Sequence, residues 1–264
     1  MSLARKADRH VLYQQAVQDP EAEMDFVEET FDRLRGRAIA TLREDFCGTA
    51  WSACEFVRRQ PGHRAWAVDR DEAVLEWGRR HNLGSLDRHA RKRLKLCCDD
   101  VRTVAAPPVD AVLAMNFSYY LFDRRDSLRE YFAAARDALV DDGLLFLDAY
   151  GGYDAHRDIV EERECDGFTY VWEQADFNPI DQSMNCYIHF RFPDGSKLDR
   201  AFVYPWRLWT LPELREVLDE AGFRRTRVYW EGLDEATGEG DGVFVETEAG
   251  TPDAGWIAYL VAER

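Results

Sequence analysis

The sequence predicts an α/β protein built on a parallel sheet covered on both faces, and three observations carry that expectation. Short continuous apolar runs alternate with amphipathic helical stretches from Ala38 to Asp148, and again from Thr210 onward; strands buried on both faces read as unbroken apolar runs and need helical crossovers. Several of these runs end in an acid or a small-residue turn, at Cys47-Gly48-Thr49, Asp69 and Asp99-Asp100. Between Cys165 and Pro205 the rhythm changes to strict alternation, the mark of an antiparallel hairpin.

In chain order, residues 1–36 form an N-terminal helical segment. Val17, Met24, Phe26, Val27, Phe31 and Leu34 recur at helical spacing, with Asp19-Pro20 as a start or kink. Ala38–Phe46 is the first strand and runs through Cys47-Gly48-Thr49 into a helix that ends near Arg59. Ala65–Val68, closed by Asp69, is the second, and a helix over Asp71–His81 follows it. Leu94–Cys98 is the third, ending at Asp99-Asp100, and Ala111–Met115 is the fourth. An amphipathic stretch, Ser127–Leu139, leads through the Asp142-Gly143 turn to the fifth strand, Leu144–Asp148.

Residues 160–209 read as a β insertion. Cys186, Ile188, Phe190 and Phe192 alternate with Tyr187, His189 and Arg191, and Pro193-Asp194-Gly195-Ser196 makes the turn. Leu198–Tyr204 alternates back, and Tyr170–Gln174 offers a third strand. Thr210-Leu211-Pro212-Glu213 is a capping box, and its helix stops at Gly222. Phe223–Trp230 and Trp256–Val261 are the sixth and seventh strands, joined by a Gly-rich stretch over Gly238–Gly255. With no Pro/Gly-rich linker and no internal repeat, one domain spanning residues 1–264 is expected.

Composition narrows the function. Hydrophobic residues at 46% and aromatics at 13% exclude a disordered or fibrous chain. No apolar run has the length of a membrane span, and the polar start Ala4–Arg9 does not read as a signal peptide. The six cysteines form no C-x-x-C pair and read as reduced thiols, so a cytoplasmic protein is expected. With 34 Lys+Arg against 50 Asp+Glu, the net charge of −16 repels phosphate backbones and argues against nucleic-acid partners. The six histidines lack ligand spacing, so no metal site is expected.

The chemistry concentrates at the strand ends. A strand that closes in a small-residue turn and opens a helix directs backbone N–H groups into the crevice where open α/β sheets bind ligands. Gly48 permits close backbone approach there, although the three-glycine dinucleotide fingerprint is absent. Asp69 lies about 20 residues beyond Gly48, the spacing at which an acid accepts ribose hydroxyls. Asp100 ends the next strand and shares the same edge. Asp71 and Asp110 read instead as helix N-caps.

With these residues in place, the chain resembles the class I S-adenosylmethionine-dependent methyltransferases. In that family the first strand ends in an acid followed by a Gly-x-Gly-x-Gly loop. Glu44 matches the acid and Phe46-Cys47-Gly48-Thr49-Ala50 the loop, with only the central glycine kept. Ala67-Val68-Asp69, with Arg70 beside it, resembles the ribose-holding motif. Cys98-Asp99-Asp100-Val101-Arg102 resembles the third-strand motif, which implies that the Asp100 carboxylate faces the adenine amino group and the Val101 N–H a ring nitrogen. Met115-Asn116-Phe117-Ser118 matches the strand end beside the methionine portion. Leu139–Leu145 resembles the helix–turn–strand signature before the fifth strand.

The resemblance implies a three-layer, Rossmann-like, seven-stranded sheet with the seventh strand antiparallel and the β insertion after the fifth. It implies S-adenosylmethionine as cofactor, held by Glu44, Phe46, Cys47, Gly48, Asp69, Arg70, Asp100, Val101, Asn116 and Phe117. Tyr13 joins that set if the N-terminal segment closes over the cofactor; an exposed tail is the competing reading. The expected activity is methyl transfer to a small-molecule acceptor. A sulfonium brings its own leaving group, so positioning and desolvation suffice and no protein nucleophile is required. If the acceptor must lose a proton, Asp148, Tyr150, Tyr153 and His156 after the fifth strand and Tyr119-Tyr120 after the fourth are the candidate bases. The aromatic residues of the insertion form a lid over the acceptor or a homodimer contact. Open alternatives are other chemistry on the same cofactor, a cofactor-binding protein that acts through its insertion as a partner interface, and an NAD-dependent oxidoreductase.

Overall fold

The computed structural model describes residues 1–234 and 240–264. Three helices come first: α1 (Leu3–Lys6), α2 (Arg9–Val17) and α3 (Pro20–Arg35). The Asp19 carboxylate accepts the Ala22 N–H at 3.1 Å, and Pro20 fills the first turn of α3. Gly36 stops it at φ 64°.

A βα alternation follows: β1 (Thr41–Asp45), α4 (Trp51–Arg59), β2 (Arg64–Asp69), α5 (Glu72–Ser85), α6 (Arg88–Arg91), β3 (Leu94–Cys98), β4 (Val109–Ala114), α7 (Arg125–Asp137) and β5 (Leu139–Gly151). The insertion contributes β6 (Ile159–Cys165), β7 (Phe168–Ala175), β8 (Ser183–Arg191) and β9 (Lys197–Arg207). The chain ends with α8 (Leu211–Glu220), β10 (Arg225–Leu233), β11 (Gly240–Glu246) and β12 (Trp256–Glu263).

The main sheet has the order β11-β10-β12-β5-β4-β1-β2-β3. Strands β1 to β5 are parallel, and β12 lies antiparallel between β5 and β10, as expected for the last strand. The sheet has eight strands rather than seven. The addition is β11, at the edge beside β10, within the stretch expected to be a plain connection. Its Gly240-Asp241-Gly242 start carries little strand propensity and hides the Val243-Phe244-Val245 run. Residues 238 and 239 of that stretch lie outside the described residues.

Strand β5 also starts earlier than expected, at Leu139, with a register shift against β4 between Val109 and Ala111. The turn expected at Asp142-Gly143 is instead part of the strand, inside the bulge that this register shift makes. A Cβ on Gly143 would sit 2.8 Å from the Leu139 Cβ and 2.9 Å from the Val140 carbonyl oxygen, which only glycine avoids.

The insertion is a four-stranded antiparallel sheet, β6-β7-β8-β9. The β8–β9 hairpin and β7 match the sequence reading. β6 escapes it because Glu161-Glu162-Arg163-Glu164 is an exposed edge with no apolar alternation.

Apolar clusters cover both faces of the main sheet. On one face Tyr131, Phe132, Leu214 and Leu218 pack with Trp206 and Met184 of the insertion. On the other, Met24, Phe31, Phe56 and Leu75 pack from α3, α4 and α5. A third cluster joins Leu12 and Ala16 of α2 to Ile188 and Phe190 of β8. The insertion therefore leans on the carboxyl ends of β4 and β5 while α2 leans on the insertion. Among the described residues no helix is long and apolar enough to cross a membrane.

Candidate functional site

The parallel strands end together at one edge, and the β1–α4 turn there is strained in a patterned way. Phe46 (φ 56°), Gly48 (φ 53°) and Ala50 (φ 57°) are all left-handed, at the three positions where the resemblance sets glycines. For the two non-glycine residues this costs about 1–2 kcal/mol each, so surrounding contacts must hold the turn. The Cys47 N–H donates to the Val68 carbonyl at 2.9 Å and the Gly48 N–H to the Asp69 carboxylate at 2.9 Å. The Asn82 side-chain amide donates to the Thr49 carbonyl, and the Gln14 amide to the Thr49 hydroxyl, both at 2.9 Å.

Gly78 completes this support. A Cβ there would lie 2.4 Å from the Thr49 carbonyl oxygen and 2.9 Å from its carbon, so α5 reaches the turn only because position 78 has no side chain. Sequence reasoning passed over Gly78, yet glycine inside an amphipathic helix forfeits about 1 kcal/mol of helix propensity and signals a close approach. Gly78→Ala is expected to lower Tm despite its better propensity, because overpacking of about 1–3 kcal/mol falls on backbone that cannot move aside. Thermal denaturation checks this; a Tm at or above wild type would mean the turn shifts freely.

Glu44, Phe46 and Cys47 lie beneath the turn. Ala50 offers α4 no capping side chain, and the buried Glu44 carboxylate supplies the missing acceptor, taking the Ala53 N–H at 2.8 Å. Burial pushes the Glu44 carboxyl well above its usual range. The Phe46 ring packs 5.3 Å from Tyr131, and Cys47 is buried with its thiol pushed up by desolvation. Nearby, the buried Glu23 of α3 accepts the Ser52 hydroxyl at 2.7 Å, and burial pushes its carboxyl up to about 7.

Asp69 and Asp100 face the same edge. Asp69 takes the Asp71 N–H at 2.9 Å as well as the Gly48 N–H, and its carbonyl accepts the Asp99 N–H at 3.1 Å, so one residue links three turns. The Asp100 carboxylate is clamped by Arg102, whose Nε and Nη2 donate at 3.0 and 2.7 Å; this guanidinium pulls the carboxyl down to about 2. Val101 is buried behind it, and Arg70 is exposed. Cys97 is buried while Cys98 is exposed at the β3 end, as strand alternation dictates. Asp71 caps α5 as expected, through the Ala73 N–H at 2.9 Å. Asp110 caps no helix: it accepts the Ala40 and Thr41 N–H groups at 2.8 Å, at the opposite end of β1.

After β4, Asn116 (φ 60°) and Phe117 (φ 54°) form a second left-handed pair. Their N–H groups donate to the two oxygens of Asp148, at 2.7 and 2.9 Å. Asp148 is buried on β5, and burial pushes its carboxyl up to about 7 against those two hydrogen bonds. Tyr119 and Tyr120 are buried; the Tyr119 hydroxyl donates to the Asp148 carbonyl at 2.7 Å.

The roof is aromatic. The Phe117 ring lies 4.8 Å from Tyr150 and 6.3 Å from Trp206 of β9, which stacks on Tyr204 at 4.7 Å. The half-buried Tyr13 packs 4.9 Å from Phe202, and burial beside Tyr204 drives its hydroxyl well above the usual phenol range. Together with the Gln14–Thr49 bond, this sets α2 across the turn and the insertion, so the segment around Tyr13 is not an exposed tail. Tyr153 is 67% exposed, and the exposed His156 turns Nδ1 to the Gly152 carbonyl at 3.1 Å and packs on Phe177. The contacts of His156 are with the post-β5 segment and the insertion rather than with the strand-end acids.

No family model and no curated protein matches the chain by sequence. Solved structures do match. An S-adenosylmethionine-dependent methyltransferase from Clostridium acetobutylicum superposes with a TM-score of 0.70 at 16% identity, covering 96% of both chains. An amino pentose methyltransferase from Micromonospora echinaspora, solved with S-adenosylmethionine bound, gives 0.67 at 18% identity, covering 97% of this chain and 95% of that one. A sugar N-methyltransferase from Streptoalloteichus gives 0.64 at 18% identity, covering 100% of this chain and 94% of that one. Over nearly its whole length, the chain has the Rossmann-like fold of S-adenosylmethionine-dependent methyltransferases.

Proposed function

We propose that this protein transfers the methyl group of S-adenosylmethionine to an amino group of a small-molecule acceptor. The observation that carries the reading is the convergence of three features on one sheet edge: the left-handed turn at Gly48, the Asp69 carboxylate bound to that turn, and the Asp99–Val101 turn hydrogen-bonded to Asp69. The residues present fit an elongated nucleoside sulfonium. A Cβ on Gly48 would meet only the Val74 Cγ1, at 3.8 Å, an ordinary van der Waals distance, so no backbone closes over the turn at that point. Asp69 would receive the ribose hydroxyls, Asp100 the adenine amino group and the Val101 N–H a ring nitrogen. Asn116 and Phe117 would flank the methionine portion, with Tyr13 above and Arg70 at the rim. Glu44, Phe46 and Cys47 would shape the turn from below.

When bound, the cofactor supplies a sulfonium whose methyl carbon accepts a lone pair directly. That chemistry would be a displacement in which the methyl group goes to the acceptor nitrogen, S-adenosylhomocysteine leaves and the nitrogen's proton goes to solvent. The protein's share is orientation and exclusion of water. The insertion serves as the lid, because its inner face carries Trp206, backed by Tyr204, onto Phe117. An aromatic roof of Phe117, Tyr150 and Trp206 beside the buried Asp148 suits an amine, neutral or protonated, better than an anion. The names of two structural neighbours, an amino pentose and a sugar N-methyltransferase, agree with that choice.

The test has two parts. Isotopically labelled donor is offered with panels of amino sugars, phenols and carboxylates, and label is expected in the amines. S-adenosylhomocysteine is titrated calorimetrically into wild type, Asp69→Ala and Asp100→Ala. Loss of two hydrogen bonds to a carboxylate, about 3 kcal/mol in all, predicts roughly 150-fold weaker binding for Asp69→Ala. Asp100→Ala is expected to weaken binding less, because Arg102 already engages that carboxylate. Equal affinity in all three proteins would remove the site assignment.

A further inference from the structure

The central strand β1 carries a buried ion pair that the chemistry above does not use. Arg43 and Asp45, each 2% exposed, point to the face covered by α7, and the Arg43 Nη2 donates to an Asp45 oxygen at 2.8 Å. The Tyr131 hydroxyl donates to the same oxygen at 3.1 Å. The remaining groups, Arg43 Nε and Asp45 Oδ1, are buried without a hydrogen-bond partner among the described residues. Burial holds the Asp45 carboxyl above its usual range even beside the guanidinium. Such a pair is a poor way to stabilise a sheet: apolar residues of similar volume usually do as well or better once desolvation is counted.

What the pair does reach is the turn after β3. The Arg43 Nη2 also contacts the Val101 carbonyl, at 3.4 Å. A second chain of contacts grips the same turn from outside. The Tyr131 ring stacks on Phe122 at 5.3 Å, Phe122 carries the Arg102 guanidinium over its face at 5.4 Å, and Arg102 clamps Asp100. Residues 100–102 are thus held from beneath by Arg43 and from the rim by Arg102, and both supports lead back to Tyr131 and Asp45.

From this arrangement we infer that Arg43 and Asp45 are positioning residues for purine recognition: the buried pair holds the Val101 backbone where it meets the adenine ring. The inference rests on the cofactor reading above and adds two residues that touch no ligand. It requires that binding weaken without any loss of stability, which a purely structural role would not produce.

The decisive protein is the double variant Arg43→Met/Asp45→Leu, which replaces the pair with apolar side chains. Its Tm is expected to equal or exceed that of wild type, while calorimetry shows S-adenosylhomocysteine bound about 10-fold more weakly. Adenosine alone is expected to lose affinity by the same factor, since the defect lies at the purine end, and the amides of residues 101–103 are expected to exchange faster with solvent. Asp45→Asn keeps an acceptor for Arg43 and Tyr131 and is expected to restore most of the affinity. Wild-type affinity in a folded double variant overturns the inference. If the double variant does not fold, Tyr131→Phe decides: a loss of adenosine affinity supports the inference and unchanged affinity overturns it. A wild-type protein that binds neither ligand would overturn the cofactor reading itself, and this inference with it.

Discussion

Asp148→Ala is expected to lower the rate of methyl transfer by about 100-fold or more, the scale of loss when a reacting group is misplaced by about 1 Å. The carboxylate is the acceptor for two consecutive backbone N–H groups, those of Asn116 and Phe117, in a pair of residues both held left-handed. Without it, two donors lose their partner at about 1–3 kcal/mol each, and the left-handed pair has nothing to offset its strain. The turn beside the methionine portion then relaxes and carries Phe117 away from Tyr150 and Trp206. A loss near 3 kcal/mol corresponds to a Tm drop of about 10 °C for a chain of this size. Steady-state kinetics with labelled donor and thermal denaturation measure the two effects. Wild-type turnover in Asp148→Ala would mean that the turn holds its shape unaided.

The same residue sets a pH dependence. The anion of Asp148 serves both N–H groups, and protonation gives one oxygen a hydrogen that competes with them. With its carboxyl pushed up to about 7, turnover is expected to fall as pH drops through 7. Asp148→Asn, which cannot titrate, is expected to be slower throughout and to lack that acid limb. An acid limb unchanged in Asp148→Asn would assign it to another group.

The strand ends that build the crevice were legible because parallel strands are apolar on both faces and break sharply at polar residues; Cys47-Gly48, Asp69 and Asp99-Asp100 each mark such a break. The insertion's inner strands were legible for the opposite reason, an alternation that survives wherever one face is buried. Edge strands β6 and β11 leave no such trace, since Glu161–Glu164 and Gly240–Gly242 face solvent or serve as a turn. At the site, residue types were readable but their partners were not. Glu44 was expected beside the cofactor, and its role as a surrogate helix cap was not legible, because the absence of a capping side chain at Ala50 matters only once α4 is packed over β1. Asp110 looked like a cap and fastens the far end of β1, because a residue's place before a strand does not tell which neighbouring strand it will meet. Phe46 and Ala50 broke the glycine pattern, yet the left-handed turn persists. The hydrogen bonds that hold it come from residues 14, 69 and 82, which no local reading connects.

Glu23→Gln is expected to stabilise the protein at alkaline pH and to leave it nearly unchanged in mild acid. Glu23 is buried, with its carboxyl raised from 4.5 to about 7 by desolvation. A carboxyl that holds its proton more tightly folded than unfolded makes the folded state bind more protons between those two values. Stability must then decrease as pH rises from about 4.5 to 7 and level off above. At about 1.4 kcal/mol per pH unit the span amounts to roughly 3 kcal/mol, an upper figure because relaxation around the new charge reduces it. Glutamine keeps an acceptor for the Ser52 hydroxyl, has nearly the same shape and never ionises, so it removes the penalty without opening a cavity. The Tm of Glu23→Gln is therefore expected to exceed that of wild type by about 5 °C at pH 8 and to converge with it near pH 5. Asp148 and Glu44 carry raised carboxyls too, so the substituted protein should still lose stability with pH, but along a shallower slope. A Tm difference that stayed constant from pH 5 to 8 would show that Glu23 ionises as freely inside the fold as outside it.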